Sequence, residues 1–287
     1  MFYQCPPPLT DGKQVAAMVS LTPAESKRII ARGITVLPEI KRALKEGVII
    51  IGRGTTNTFV TEELLGSVIE NKAEYSRGII TNGELKVNLR RGGGYDFVLK
   101  DGELWNAKPQ EVILQFTRND VFLKGASAID ASGEAAVLAA NPEAGTIGYA
   151  MMPLTARGAN LIVPVGLEKM VPSVAAAVRK CGVYNYKYST GSPCSLIPLI
   201  NAKVVTEIQA LSLLFGVNAT HVASGGIGGS EGSVVLVIEG TATCLEKAFD
   251  FIKSIKGEKP VPSPMVMGAP ASSFNFDARA IQGADRR

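Results

Sequence analysis

VIIIGRGTTNTFVTEELL, residues 48–65, sets an aliphatic run against a small polar loop and then a segment with Phe59, Val60, Leu64 and Leu65 at helical spacing. The run Val48 to Ile51 is wholly apolar and β-branched. That suits a strand buried on both faces of a parallel sheet better than a half-exposed hairpin strand. Strand, loop and helix in this order place the chain in the α/β class.

The loop has two readings. Gly52 and Gly54 let the backbone turn closely after the strand, and Thr55, Thr56 and Thr58 put hydroxyls beside Asn57 and the free amides of a helix start. Such a helix start attracts phosphate or carboxylate. Alternatively, Thr56 or Asn57 caps the helix and the glycines only shape the turn.

Upstream, LTPAESKRIIARG and PEIKRALKEG each read as a helix, with Thr22 as cap, Pro23 in the first turn, and Gly33 and Gly47 closing the two segments. On this reading two helices precede the first strand. Downstream, RGIITNGELKVNL and YDFVLKDGELW alternate as strands around the turns Asn82-Gly83 and Asp101-Gly102, an antiparallel insertion near 76–106. PQEVILQF starts a helix, DVFLKGAS is a second core strand, 143–157 is helical, and ANLIVPVG is a third core strand before the helix PSVAAAVRKCG. The expected framework is an open, mostly parallel, Rossmann-like sheet over 1–195 carrying the ligand-binding function.

From residue 196 the pattern is LIPLI (strand), VVTEIQALSLLFG (helix), ATHVAS (strand), a glycine loop, SVVLVIEG (strand) and TCLEKAFDFIKSIKG (helix). This predicts a smaller ferredoxin-like α+β unit over 196–257. Residues 258–287, rich in Pro, Ser, Gly and charge, read as a flexible tail or an arm that packs on a neighbour.

Composition narrows the function classes. The 287 residues are 46% hydrophobic, enough for a sizeable core, and 30 basic residues against 26 acidic ones give a net charge of only +4. Without a basic stripe, no nucleic-acid partner is expected. The four cysteines, Cys5, Cys181, Cys194 and Cys244, lack the close pairs of zinc or dithiol sites, so free buried thiols and no metal are expected. No apolar run approaches the roughly 20 residues of a bilayer span, and the first residues do not resemble a secretory leader. A cytoplasmic protein with no membrane partner is expected.

A second segment, DVFLKGASAIDASGEAAVL, ends a strand in the turn Gly125-Ala126-Ser127 with Asp130 just beyond. The carboxyl ends of strands in open α/β sheets line the ligand crevice, which would bring Ser127 and Asp130 near the first loop. Asp130 would then accept a proton or a sugar hydroxyl; alternatively Asp130 and Ser132 stabilise the turn DASG. Lys124, at the end of an apolar strand, faces either the crevice or a carboxylate. In LRRGGGYDF, Arg90 and Arg91 precede three glycines, so this is either a basic loop that closes over phosphate or a solvated connection. His221, the single histidine, is a general acid–base candidate or a structural strand residue. The loop 225–232 lacks the Lys-Ser/Thr of a P-loop and reads as a hairpin or a subunit contact.

GRGTTNTFVTEELL resembles the Gly-Thr-Thr or Gly-Ser-Thr phosphate loop of ribose-phosphate isomerases, glucosamine-phosphate deaminases and the sugar-phosphate-sensing domains of deoxyribose-operon-type repressors. VFLKGASAIDASG is similar to the later Gly-Ala-Asp or Gly-Ala-Asn segment of that superfamily, with Ile129-Asp130 matching its Ile/Val-Asp pair, and ANLIVPVG is similar to its next strand. The resemblance implies the fold shared with CoA transferases and a phosphorylated sugar or CoA thioester near Thr55 and Thr56. This chain has Ser127 where the isomerases carry Asp, no Lys-Gly-Gly-Gly segment follows Asp130, and the transferase glutamate matches no particular residue here.

The resulting expectation is a protein that binds a phosphorylated small molecule, with isomerase or transferase activity as one form of that function. Gly52, Gly54, Thr55, Thr56, Asn57, Thr58, Gly125, Ser127 and Arg91 would hold the ligand, with no cofactor. Asp130 would act as base or orienter, and Lys124 would stabilise an enediolate oxygen. The alternative is a non-catalytic metabolite sensor or an assembly protein of the same fold. Either version is expected to form a homo-oligomer.

Overall fold

The computed structural model describes residues 1–10, 12–88 and 96–263. The chain opens with β1 (Gln14–Leu21), α1 (Pro23–Thr35), α2 (Pro38–Glu46), β2 (Val48–Ile51) and α3 (Thr55–Leu65). Two hairpins follow, β3 (Gly78–Thr81) with β4 (Glu84–Val87), and β5 (Phe97–Lys100) with β6 (Glu103–Leu104). Next come α4 (Pro109–Val112), β7 (Val121–Leu123), β8 (Ala128–Ile129), β9 (Ala135–Ala139), α5 (Gly145–Arg157), β10 (Asn160–Pro164) and α6 (Val174–Val178). The chain continues through β11 (Ser195–Pro198), β12 (Lys203–Val205), α7 (Glu207–Phe215), β13 (Asn218–Gly225), β14 (Ser233–Thr241) and α8 (Ala242–Ser254).

The protein is mixed α/β. Its main sheet has six strands in the order β12-β10-β7-β2-β5-β6. Of these, β2, β7, β10 and β12 are mutually parallel, and β5 and β6 add an antiparallel edge. The aliphatic run behaves as expected: Ile49 and Ile50 are fully buried and Ile51 nearly so, alongside Val121, Phe122 and Leu123 of β7. Each such side chain taken from water contributes roughly 1.5–3 kcal/mol. Helix α1 packs on β10 and β12 and against α3 and α7, while α2 lies on β2, β5 and β7.

Four details differ from the expectations. The hairpin β5–β6 is not part of an inserted flap; it is the edge of the main sheet, because β5 pairs with β2 along its whole length. Only β3–β4 stands as a separate two-stranded sheet, its turn made by Asn82 and Gly83 at positive φ. Gly33 does not close α1. It lies within the helix, where an added Cβ would sit 2.6 Å from Ala210 Cβ, so its task is close approach to α7.

The third difference is that two helices are not the first elements. Strand β1 precedes them and pairs antiparallel with β14. Its inward residues Val15, Ala17, Val19 and Leu21 alternate with Ala16 and Met18, so apolar outward positions hide the strand period. The fourth concerns the ferredoxin-like unit. LIPLI joins β9 in another sheet, and the Val-Val assigned to the helix belongs to β12 of the main sheet. The hairpin β13–β14 is completed by β1 instead, and α7 and α8 pack against this three-stranded sheet.

Candidate active site

The parallel strands run in chain order without reversal, β2, β7, β10, β12, so their loops all open at one end of the sheet. The loop after β2 is tight because a Cβ at Gly52 would lie 3.1 Å from Lys124 Cδ and 3.2 Å from the Leu123 carbonyl. Gly54 and Gly125, by contrast, border open space, with nothing within 4 Å of an added Cβ. Gly52 N donates to Leu123 O, Gly54 N to Tyr75 O, and Arg53 N to Asp96 Oδ1.

Neither Thr56 nor Asn57 caps α3. The cap position is Gly54, which has no side chain to accept from the first-turn amides. Thr58 spends its hydroxyl on the carbonyls of Gly54 and Thr55. Asn57, almost fully buried, donates through Nδ2 to Gly52 O and Leu123 O, at the ends of two adjacent strands; its Oδ1 has no partner. The 11-residue helix therefore presents the positive end of its dipole at the strand ends without an acidic residue in its first turn.

Cations gather at the same end. Arg53 follows β2, Lys124 follows β7 directly, and Lys169 lies in a short turn of 3₁₀ helix after β10. Among the described residues Lys124 Nζ reaches only the Arg53 carbonyl, at 3.5 Å, and Lys169 Nζ donates to Ala126 O at 2.9 Å. Among the described residues neither ammonium has a carboxylate within salt-bridge distance. Burial pushes the Lys124 amine down, against the pull of Asp96. Lys169 is pushed down to about 8 by burial and by repulsion from Lys27 and Lys124, which outweigh the attraction of Glu168 and Glu207.

The nearby acids are occupied. Glu168 pairs with Lys27 at 2.8 Å. Asp96 accepts from Arg53 N and from the Tyr149 hydroxyl, whose proton is held more tightly through burial and that charge. Glu207, fully buried at the start of α7, accepts from Leu167 N through both oxygens; burial raises its pKa. It thereby holds the Gly166-Leu167 turn that carries Lys169.

Other expected site residues lie differently. Both oxygens of Asp130 are engaged: Oδ1 accepts from Ser132 N, Ser132 Oγ and Glu134 N, and Oδ2 accepts from Val174 N at 2.8 Å. Burial alone would raise its pKa, but these donors hold it below the usual range. Ser127 Oγ accepts from Leu138 N, which ties it to the small sheet β11-β9-β8. Arg90 and Arg91 lie outside the described residues. His221 Nε2 lies 2.8 Å from Ser224 Oγ and 3.0 Å from Ala223 O, where the β13–β14 register shifts, on a separate sheet. The four cysteines are free and half-buried.

Lys169, Asp96, Tyr149 and Glu207 are not among the residues expected from sequence. Lys169 is within reach of sequence reasoning: it follows the core strand ANLIVPVG, and carboxyl-end loops are where such sheets place ligand contacts. Asp96 and Tyr149 offer no signal, because pairing of β5 with β2 and the placement of α5 bring them in. An open hollow of about 420 Å³ lies elsewhere, lined by Ser20, Thr22, Ser224, Gly226 and Lys256 among others. Its one charged lining residue, Lys256, is already paired with Glu25, so the strand-end cluster holds more chemistry.

Among the described residues no cluster of three or more His, Cys, Asp or Glu is placed to hold a metal, and no helix is long and apolar enough to cross a membrane. Comparison with family models, curated proteins and solved structures found no match to this chain.

Proposed function

We propose that the protein binds a small anionic metabolite, such as a phosphorylated sugar, at the carboxyl ends of β2, β7 and β10. The observation that carries this reading is the pair Lys124 and Lys169, two ammonium groups after β7 and β10 without carboxylate partners among the described residues, with Lys124 beside the uncapped start of α3. Leaving cations partly desolvated is costly, and an anion between them relieves that cost. Its charge would meet Lys124 and the first-turn amides of Thr55, Thr56 and Asn57, with Gly54 and Gly125 leaving room for close approach.

The resemblance to sugar-phosphate isomerases and sensors agrees with this ligand class. Asp130 as the proton-transferring base is not favoured, because its oxygens already take four hydrogen bonds. That engagement favours the sensor reading over an isomerase built on Asp130.

Thermal unfolding in the presence of inorganic phosphate, ribose 5-phosphate and CoA tests the proposal. A ligand at a hundred times its Kd stabilises by about 2.7 kcal/mol. We expect a rise in Tm with at least one of these anions and its loss in Lys124→Met. No rise with any of them, or an equal rise in the variant, sinks the reading.

A further inference from the structure

We propose that Lys169 is a nucleophilic amine that forms an imine with an aldehyde or ketone group of the anionic ligand held at these strand ends. This rests on the anion-binding reading above. The two lysines stand in different settings. Lys124 has its stem packed at Gly52 and lies beside the start of α3, the setting of a charge that stays and binds. Among the described residues Lys169 makes one side-chain hydrogen bond, donated to a backbone carbonyl, which leaves the amine nitrogen its lone pair once a proton is lost.

The groups facing Lys169 favour that loss. Lys27 from α1 and Lys124 from the end of β7 repel its charge, and Glu168 is committed to Lys27. Glu207 attracts it, an attraction outweighed by burial and the two cations. With a pKa of about 8, Lys169 offers far more neutral amine near neutral pH than an ordinary lysine. Desolvation beside a second cation is a known way to activate a lysine amine toward carbonyls. Glu207 acts here as a positioning residue, through the turn that it holds.

The chemistry balances without another reactant. The neutral amine attacks the carbonyl carbon, forming a C–N bond while the carbonyl oxygen takes a proton. The nitrogen loses a proton, the protonated hydroxyl leaves as water, and C=N remains. Such a bond would supply an electron sink that Asp130 does not provide.

The test uses the full chain with glyceraldehyde 3-phosphate, pyruvate or glyoxylate, followed by borohydride, which delivers hydride to an imine carbon and leaves a stable secondary amine. We expect a single adduct that maps to Lys169 in the wild-type protein, formed with an apparent pKa near 8. Lys169→Arg should lose it. Adducts spread evenly over exposed lysines, or confined to Lys124, would overturn the proposal. Stabilisation by phosphate without any Lys169 adduct defeats the imine and spares the binding reading; no phosphate effect on either Tm or adduct rate defeats the binding reading itself. Because the adduct is mapped on the wild-type chain, the proposal stands or falls even where a variant folds poorly.

Discussion

The side-chain amide of Asn57 donates to the carbonyl of Leu123 at 3.2 Å, and so joins the first turn of α3 to the end of the neighbouring strand. The same nitrogen serves Gly52 O. Asn57→Ala should therefore cost about 1–3 kcal/mol in urea unfolding, the penalty for buried polar groups left without a donor. Asn57→Asp should be worse at pH 8, where a carboxylate would face two carbonyl oxygens. Its deficit should shrink toward pH 4, since a protonated carboxyl can donate again. A pH-independent difference between the two variants would contradict this placement.

Asp130 gathers four donors from its own turn and from the start of α6. Asp130→Asn should lower stability by about 3 kcal/mol near neutral pH, because an amide cannot accept all of them. The folded-state pKa lies below the ordinary value. The stability it contributes is thus complete above the unfolded pKa of about 4 and is lost as pH falls through the folded value. Acid titrations of stability should accordingly be shallower for the variant. Phosphate should still raise its Tm; a lost phosphate effect with intact folding would return Asp130 to the ligand site.

Gly33 sits where α1 meets α7, with Ala210 Cα 2.8 Å from the position an added Cβ would take. In an open helix Gly→Ala would stabilise by about 1 kcal/mol. Here overpacking, which typically costs about 1–3 kcal/mol, should win. Gly33→Ala is expected to lower Tm, and Ala210→Gly in the same chain to recover part of the loss. Higher stability in Gly33→Ala would refute the close contact.

Arg28 pairs with Glu62, Glu63 and Glu258 at 2.7–2.8 Å and stacks over Phe59. One guanidinium fork thus joins α1 to α3 and to the segment after α8. Arg28→Met should cost about 1–3 kcal/mol through the loss of charge-assisted hydrogen bonds, chiefly at Glu258, since Glu62 and Glu63 keep Lys72 and Arg32 as partners. Arg28→Lys should recover only part, since an ammonium lacks the planar fork. A surface-like loss below about 1 kcal/mol in calorimetry would show the network to be solvent-screened.

Local chemistry makes several elements legible in the sequence. The apolar run Val48–Ile51, the helical spacing after it and the Thr22 cap are each written in residues adjacent along the chain. Pairings between distant segments are less visible. LIPLI could serve any sheet, and its choice of β9 depends on residues some sixty positions earlier. At the site, Lys124 and the α3 loop are readable because they directly follow apolar strands. Asp130 is ambiguous between ligand contact and turn hub, since both uses call for a carboxylate just past a strand.

Strand β1 completes the sheet of β13 and β14, with Gln14 opposite Thr241 and Leu21 opposite Val234. During synthesis this three-stranded sheet cannot close until β14 has left the ribosome. Its closure must also overcome the entropy of joining segments so far apart along the chain. The parallel sheet has no such wait for β2, β7 and β10. Emergence is thus ordered in time: the strand ends that bear Lys124 and Lys169 leave the ribosome before the strand that completes the sheet with β1.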